Sequence, residues 1–403
     1  MKLKRLNLFF ISIVIFVMLV VSNISFDEIF SLPQNFVASY EEIHLSNISK
    51  RFGFLINSKL EKQLCHTSSG DSQEDVIVFK LFGFIPIRKV VIKLAPEEDV
   101  YIGGVPIGVA ITSSNPIVVD DGEVEIENGI IKTEKSEPFK EGDVIISVDD
   151  QPVKGIDDTI EKLQNKDKKD VEVKFLRKGK EIKSIVKTSK DITGKIKLGL
   201  VVKDDVSGIG TLTYVNMKSG KFGALGHAIT EQESIVDVKE GKVYPCNLFG
   251  IQKGEINNPG QLRGVFLQNG GEKGVIEKNN KYGVFGVIND KSGLIDENLT
   301  TKIGGRLSVC PGKAKIVSSI NGIREEYEIE IIKANYQSTA DDKSIVFRVT
   351  DKRLLDLTGG IVQGMSGSPI LQNGKMVGAV THVFMSDPTK GYGVYSDWMV
   401  LNS

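Results

Sequence analysis

Near the carboxyl end of the chain, Gly364-Met365-Ser366-Gly367-Ser368-Pro369 sets one hydroxyl between two glycines and ahead of a proline. Glycine admits left-handed backbone and proline interrupts a hydrogen-bonded ladder, so the segment reads as a tight turn that presents Ser366 at a surface. Such a turn also lets the N–H groups of Gly364 and Ser366 converge on one point, the arrangement that stabilises the oxyanion of an acyl-transfer intermediate. A hydroxyl becomes a competent nucleophile only when a base takes its proton, so Ser366 needs an imidazole. Of the four histidines, His44 and His66 precede the folded modules, leaving His227 and His382. His227, in Phe222-Gly223-Ala224-Leu225-Gly226-His227-Ala228-Ile229, has small neighbours that let its ring reach outward and is the expected base. His382, after Thr381, is expected to line a pocket or the core. Between base and nucleophile lie Asp290, Asp296, Asp341, Asp342, Asp351 and Asp356, each otherwise a solvated turn charge, and spacing does not choose an orienting acid among them. A Ser/Lys hydrolase would instead draw on Lys352 or Lys375.

The elements that must hold these groups are short strands. After the serine turn, Ile370-Leu371, the pair Asn373-Gly374 and the run from Met376 to Val383 read as strand, hairpin turn and strand. An α/β-hydrolase elbow needs Gly-x-Ser-x-Gly followed by a helix, whereas here Ser368 takes the fifth place and Pro369 follows. Past Thr193, strand patterns recur at 208–217, 234–238, 264–267, 283–288, 313–319, 326–333 and 344–349, with Asn269-Gly270 and Asn321-Gly322 as further turns. That spacing predicts a barrel pair or a sandwich for 190–403.

A separate module is predicted over 97–189. The loop Gly104-Val105-Pro106-Ile107-Gly108 precedes a strand, where successive N–H groups could capture a peptide carboxylate and the strand edge could accept an added peptide. Pro138 to Asp149 gives a turn and strand, Asp157 to Asn165 a short helix with an Ile160/Leu163 face, and Val171 to Lys187 a hairpin about Lys178-Gly179-Lys180. This order resembles a PDZ domain, with Gly104, Val105, Pro106, Ile107 and Gly108 as the expected peptide-binding residues, although that loop departs from the usual Gly-Leu-Gly-Phe.

Lysine and arginine total 51 against 52 acidic residues, which disfavours nucleic acid as a partner. Cys65, Cys246 and Cys310 are far apart and odd in number, so neither a disulfide framework nor a metal site is expected, and no cofactor is implied. At the amino end, Lys2, Lys4 and Arg5 precede an apolar run from Leu8 to Val21, the pattern of an export signal whose basic end stays in the cytoplasm. No small-x-small cleavage site follows directly, so 1–27 is read as a signal or anchor segment that targets the chain to a membrane. The stretch 28–96 is read as a linker, with a helix around 43–50 and strands at 76–79 and 88–94.

The Gly-x-Ser-Gly-x-Pro turn resembles that of two-barrel, trypsin-like serine proteases over the last third of the chain. That topology would place the orienting acid midway, at Asp290. Over nearly its full length the chain resembles the stage IV sporulation protein B family, the PDZ-containing serine peptidases of spore-forming bacteria. The residues that carry this are Gly226-His227 and the run Gly360-Ile361-Val362-Gln363-Gly364-Met365-Ser366-Gly367-Ser368-Pro369-Ile370, together with the leader and the single PDZ-like module. The resemblance implies a mainly β fold with an N-terminal membrane segment, a PDZ-like domain and a trypsin-like double β-barrel peptidase domain. It implies Ser366 as nucleophile, His227 as base and, fifteen residues before the serine, Asp351 as acid, with Asp290 as the rival. It further implies export from the forespore into the space between two membranes and self-cleavage near the amino end. A membrane-bound inhibitor of a sigma-factor-processing protease would be the regulated substrate. The competing expectation is a non-catalytic envelope scaffold that recruits a partner through the PDZ-like edge.

Overall fold

Alternation decides most of the strands. In Glu325–Ala334 the side chains of Tyr327, Ile329 and Ile331 turn inward while Glu326, Glu328 and Glu330 face water, the period of two that a half-buried strand requires. The computed structural model describes residues 35–38, 56–67, 70–94, 99–127, 129–132, 138–164, 169–266, 271–335 and 341–403. The predicted signal or anchor segment, the helix at 43–50 and the Asn269-Gly270 turn lie outside the described residues. Among the described residues no helix is long and apolar enough to cross a membrane.

The strands expected at 76–79 and 88–94 fall within Gly70–Leu81 and Ile85–Leu94, which pair antiparallel in one sheet with Ile56–Thr67 and, in parallel, Asn35–Ala38. From Asp99 onward most strands form one closed network, with four two-stranded sheets beside it among the described residues. Within it, Pro106–Asp121, Leu200–Asn216, Lys221–Ala224, Gly283–Ile288, Gly274–Asn280 and Val238–Pro245 pair in that order and back to the first, closing an antiparallel barrel. Gly312–Ser318, Glu325–Ala334, Ile345–Val349, Asp387–Tyr395, Lys375–Phe384 and Pro369–Gln372 close a second ring in the same way. Each ring has its own core: Ile107, Val109, Leu212, Val215, Phe222 and Val284 fill the first, Ile316, Tyr327, Ile329, Phe347, Ile370 and Tyr395 the second. Val100, Tyr214, Phe285, Met376, Ala379 and Val394 pack as a further cluster that joins strands of both rings.

The PDZ-like part grows out of the first ring. Pro106–Asp121 is sixteen residues long; its first half lies in the barrel, while Ile117 pairs with Val144 of the strand Val144–Val148. That strand pairs with Asp170–Arg177, which pairs with Lys180–Lys187, and helix α1 (Gly155–Gln164) packs alongside. Val148, Val153, Leu163, Val171, Val173 and Phe175 make a third core. The buried Asp143 accepts from Nε of Arg177 at 2.8 Å and from its Nη2 at 2.7 Å, which fixes the turn before Val144–Val148.

The peptide-binding expectation at Gly104, Val105, Pro106, Ile107 and Gly108 requires correction. Gly104 N–H donates to Leu212 O at 2.7 Å and Leu212 N–H to Val105 O at 3.0 Å. Pro106, Ile107 and Gly108 pair with Thr211, Gly210 and Ile209 on one side, and Ile107 and Gly108 with Pro245 and Tyr244 on the other. Both edges are therefore taken by barrel strands, and none remains for an added peptide. The sequence pattern of a PDZ entry strand and of a barrel strand is the same alternation, and here one long strand serves both.

A 3₁₀ turn, Arg306–Ser308, and the short helix α3 (Ser396–Leu401) lock the second ring to the chain end. Arg306 is buried, donates from Nε to Asp397 Oδ2 at 2.7 Å and stacks over Trp398 at 3.9 Å. Burial pushes the Asp397 carboxyl up and the guanidinium opposes that shift. Removing one partner strands the other charge in the interior. Arg306→Met is expected to cost about 3–5 kcal/mol, read as a fall in the urea midpoint with an unchanged slope.

Candidate active site

The serine turn follows helix α2 (Lys352–Thr358), which ends on Gly359 in the left-handed region, φ 75°. Gly364 and Gly367 both have φ 97°, backbone that glycine adopts without strain. A Cβ on Gly367 would stand 2.1 Å from the carbonyl oxygen of Thr211 and 2.5 Å from the nitrogen of Leu225. The second glycine of the turn is thus required by direct backbone contact with the first ring.

That contact is also hydrogen-bonded. Thr211 N–H donates to Ser366 O at 2.9 Å and its hydroxyl to Gly364 O at 2.7 Å, while the Thr213 hydroxyl donates to Gly367 O at 2.7 Å. Met365 N–H is spent on Val362 O and Gly367 N–H on Val380 O. The N–H groups of Gly364 and Ser366 donate to no backbone carbonyl among the described residues. The expected oxyanion donors are therefore the two turn amides left unclaimed by the backbone, and the turn's carbonyls are held away by two threonines that sequence reading missed. Their signal was absent from the sequence, because Thr211 and Thr213 look like ordinary β-branched strand residues.

His227 follows strand Lys221–Ala224 through Leu225 and Gly226, whose φ values are 66° and 73°. A left-handed non-glycine residue such as Leu225 costs free energy, and strain of this kind concentrates at functional sites. The side chain of Asn279 steadies the following loop, accepting from Ile229 N–H at 2.8 Å and donating to Ile229 O and Val236 O at 2.8 Å each. His227 Nδ1 lies 2.9 Å from Ala228 O. A carbonyl only accepts, so Nδ1 carries the proton and Nε2 keeps the lone pair that a base needs. Burial lowers the pKa of this imidazole from the usual 6.5, opposed by the Ala228 carbonyl.

The serine and the histidine each touch the same strand of the second ring, at successive residues, with no hydrogen bond between the two side chains. Ser366 Oγ donates to Thr381 O at 2.8 Å, and the ring of the next residue, His382, lies with its centroid 5.0 Å from that of His227. A Cβ on Gly226 would lie 3.0 Å from Thr381 Cγ2. In this arrangement the hydroxyl rests on a carbonyl, so it must rotate about its Cα–Cβ bond to reach an imidazole. A cleft of about 480 Å³ opens beside His227 and is lined also by Val109, Ile209, Ile229, Asp342 and His382.

The remaining predicted carboxylates lie elsewhere. Asp351 is the N-cap of α2: its Oδ1 accepts from Arg353 N–H at 2.9 Å, and its Oδ2 from Glu328 N–H at 3.2 Å and Arg353 Nη2 at 2.8 Å. Arg353 first, then these backbone donors, hold its carboxyl below the usual range. Asp290 is half exposed and pairs with Lys273 and Ser292 in a surface turn. Neither is hydrogen-bonded to His227, whose Nδ1 faces Ala228. Of the two lysines, Lys352 opens α2 and Lys375 pairs with Gln372 in the hairpin after the serine turn.

A serine turn braced across the seam of two β-barrels, with a PDZ-like unit built on the first, defines a PDZ-containing serine peptidase, a hydrolase. The PDZ domain profile matches residues 105–188, and that of SpoIVB peptidase S55 matches residues 194–400. The chain belongs to the SpoIVB peptidase S55 family, whose match spans just over half of its length. No curated protein matches the chain.

Two outcomes follow. Thr211→Val keeps the strand residue's shape but frees the Gly364 carbonyl; peptidase kcat is expected to fall about fivefold with KM nearly unchanged, since a hydrogen bond of about 1 kcal/mol is lost from the turn. Asp351→Ala removes the α2 cap and is expected to cost about 1–2 kcal/mol in denaturant unfolding. Because the folded-state pKa of Asp351 is depressed below 3.8, its contribution is complete above that value and lost as pH falls through the lower, folded one. The wild type and Asp351→Ala should therefore converge in stability only in strong acid.

Proposed function

We propose that Ser366 is the nucleophile and His227 the base of an exported, membrane-tethered endopeptidase that cleaves itself and a membrane-associated regulatory protein during sporulation signalling. The observation that carries this reading is the meeting of the two turns at Thr381-His382, with the amides of Gly364 and Ser366 left open for an oxyanion. In the reaction, Ser366 Oγ leaves Thr381 O, His227 Nε2 takes its proton, and Oγ bonds to the scissile carbonyl carbon. The oxygen of that carbonyl gains the negative charge opposite Gly364 and Ser366 N–H. His227 then returns the proton to the departing amine, and water repeats the sequence on the acyl-enzyme to release the acid product. Two six-stranded antiparallel rings with the site at their seam favour the trypsin-like arrangement.

Asp351, the acid that the family resemblance suggests, fits this scheme as the residue that sets α2 and, through Gly359-Gly360, the approach to the serine turn. The proposed units are a membrane segment over 1–27, a linker with leading strands over 28–96, a PDZ domain over 97–189 that lends the first half of Pro106–Asp121 to the first ring, and a peptidase domain over 190–403. The reading of the PDZ domain as a holder of this enzyme's own linker is favoured by Ile196, whose N–H and C=O both bond the Gln164 amide of α1 at 2.9 Å, and by Leu198, buried in the PDZ core. Export into the space between the forespore membranes, and a membrane-bound inhibitor of a sigma-factor-processing protease as substrate, complete the proposal.

The rival, an envelope scaffold without catalysis, has no need of a clamped turn with open amides. Ser366→Ala, His227→Ala and the double variant are expected to lose self-processing to the same extent, since such residues act as a unit. Intact mass of the mature chain reads that processing directly, and undiminished trimming in folded Ser366→Ala would remove the nucleophile from the scheme.

A further inference from the structure

Successive residues of a strand turn their N–H and C=O groups to opposite edges. In Leu200–Asn216, Leu212 N–H donates to Val105 O on the side of Pro106–Asp121, while Thr211 N–H donates to Ser366 O and Thr211 O accepts from Leu225 N–H on the other side. Ile209 turns its backbone groups to the same edge as Thr211, and neither has a backbone partner there among the described residues. The cause is local. Ala224 lies opposite Leu212, and its strand would continue alongside to Ile209, but Leu225 and Gly226, with φ 66° and 73°, turn the chain away toward His227. The open edge starts two residues, about 7 Å, from the one that Ser366 already occupies.

The same stretch leaves the first ring open at one end. Directly paired residues share a face of the sheet, so Gly208, opposite Val109, faces the core to which Val109 belongs. A Cβ on Gly208 would meet nothing within 4 Å. The cleft of about 480 Å³ beside His227 takes in Gly208 together with Val109, Leu225, Ile229 and Ile235. Its apolar lining is the barrel core, reached through a place where a side chain is missing. Its charged lining residues, Lys281 and Asp342, are of opposite sign, so neither an acidic nor a basic side chain is favoured outright.

We propose that Gly208 and Ile209 form the leaving-side subsite of this peptidase: the Ile209 edge holds the substrate segment beyond the scissile bond as an added strand, and the gap at Gly208 takes a large apolar side chain from the residue just after the cut. The proposal deepens the peptidase reading and rests on Ser366 and His227 as assigned above. His227 must protonate the departing amine, so the segment which that amine begins starts at the imidazole, and the imidazole lines this cleft. The two-residue step from Thr211, bonded to Ser366, puts the second residue of the segment opposite Ile209. Opposite residues share a face and neighbours alternate, so the second residue points away from the barrel mouth and the first points into it, toward Gly208. Main-chain bonds along the edge set register, and the gap selects the side chain. A bulky apolar group seated there buries its own surface where residue 208 has none to offer.

The test incubates the full chain with a mixed peptide library and reads, by mass spectrometry, the residue that follows each new cut, counting the cuts that disappear in Ser366→Ala. Leu, Ile, Val, Met and Phe are expected just after the cut at about tenfold above their share of the library. Gly208→Val places a branched side chain in open space at a position whose backbone is not left-handed. It is expected to bring that excess down to the library share while Gly, Ala and Ser rise in its place. Gly208→Ala adds one methyl and is expected to lose Phe first, which decides the matter if Gly208→Val does not fold. An even distribution after the cut in the wild type, or an apolar excess that neither variant lowers, overturns the proposal. Failure of the underlying assignment looks different: cuts survive Ser366→Ala, and the proposal falls with it, whereas failure of the proposal alone leaves Ser366-dependent cuts that lack the preference.

Discussion

The seam between the two barrels depends on a few hydrogen bonds from Thr211 and Thr213 to the carbonyls of the serine turn. A tight turn with two left-handed glycines has little reason of its own to hold one conformation, since glycine loses more backbone entropy on ordering than any other residue. Here the ordering comes from outside: the turn is pinned from the first ring by the threonines, and from the second by Val380. The Ser366 turn therefore takes this conformation only when both rings are folded and apposed. The lack of space for a Cβ at Gly367 makes the same point sterically.

Electrostatically the site is built to keep its histidines neutral at rest. Both are desolvated, and each imidazole nitrogen that faces protein meets a carbonyl or nothing within bonding distance. The hydroxyl, parked on Thr381 O, is likewise not engaged with a base. For a hydroxyl held this way, leaving Thr381 O is the first step toward any proton transfer.

How much of this could be read from the chain differs by residue type. The serine turn was legible because glycine and proline have strong backbone preferences, and the turn that carries His227 because small residues flank it. The cap at Asp351 was not, since an aspartate that caps a helix and one that orients a base look alike in sequence. The loop at Gly104 to Gly108 was misjudged because a strand's alternation tells which residues face inward but not which neighbours lie on its edges. The resemblance to a PDZ domain was correct for the module and failed for the loop, where the strand had already been claimed by the barrel.

That shared strand has a mechanical consequence. Pro106–Asp121 and Leu200–Asn216 run side by side from the catalytic ring into the PDZ domain, with pairs from Thr211 opposite Pro106 to Leu200 opposite Asp121. The ladder is not continuous: between Lys203, opposite Ile117, and Asp205, opposite Thr112, the pairing shifts and residues 113–116 leave it, so the rungs of the barrel and those of the PDZ domain meet at a break. Bending between the two parts is accordingly concentrated at that bulge, and the rungs beyond it, from Asp205 to Thr211, stay closed along the strand that braces the Ser366 turn.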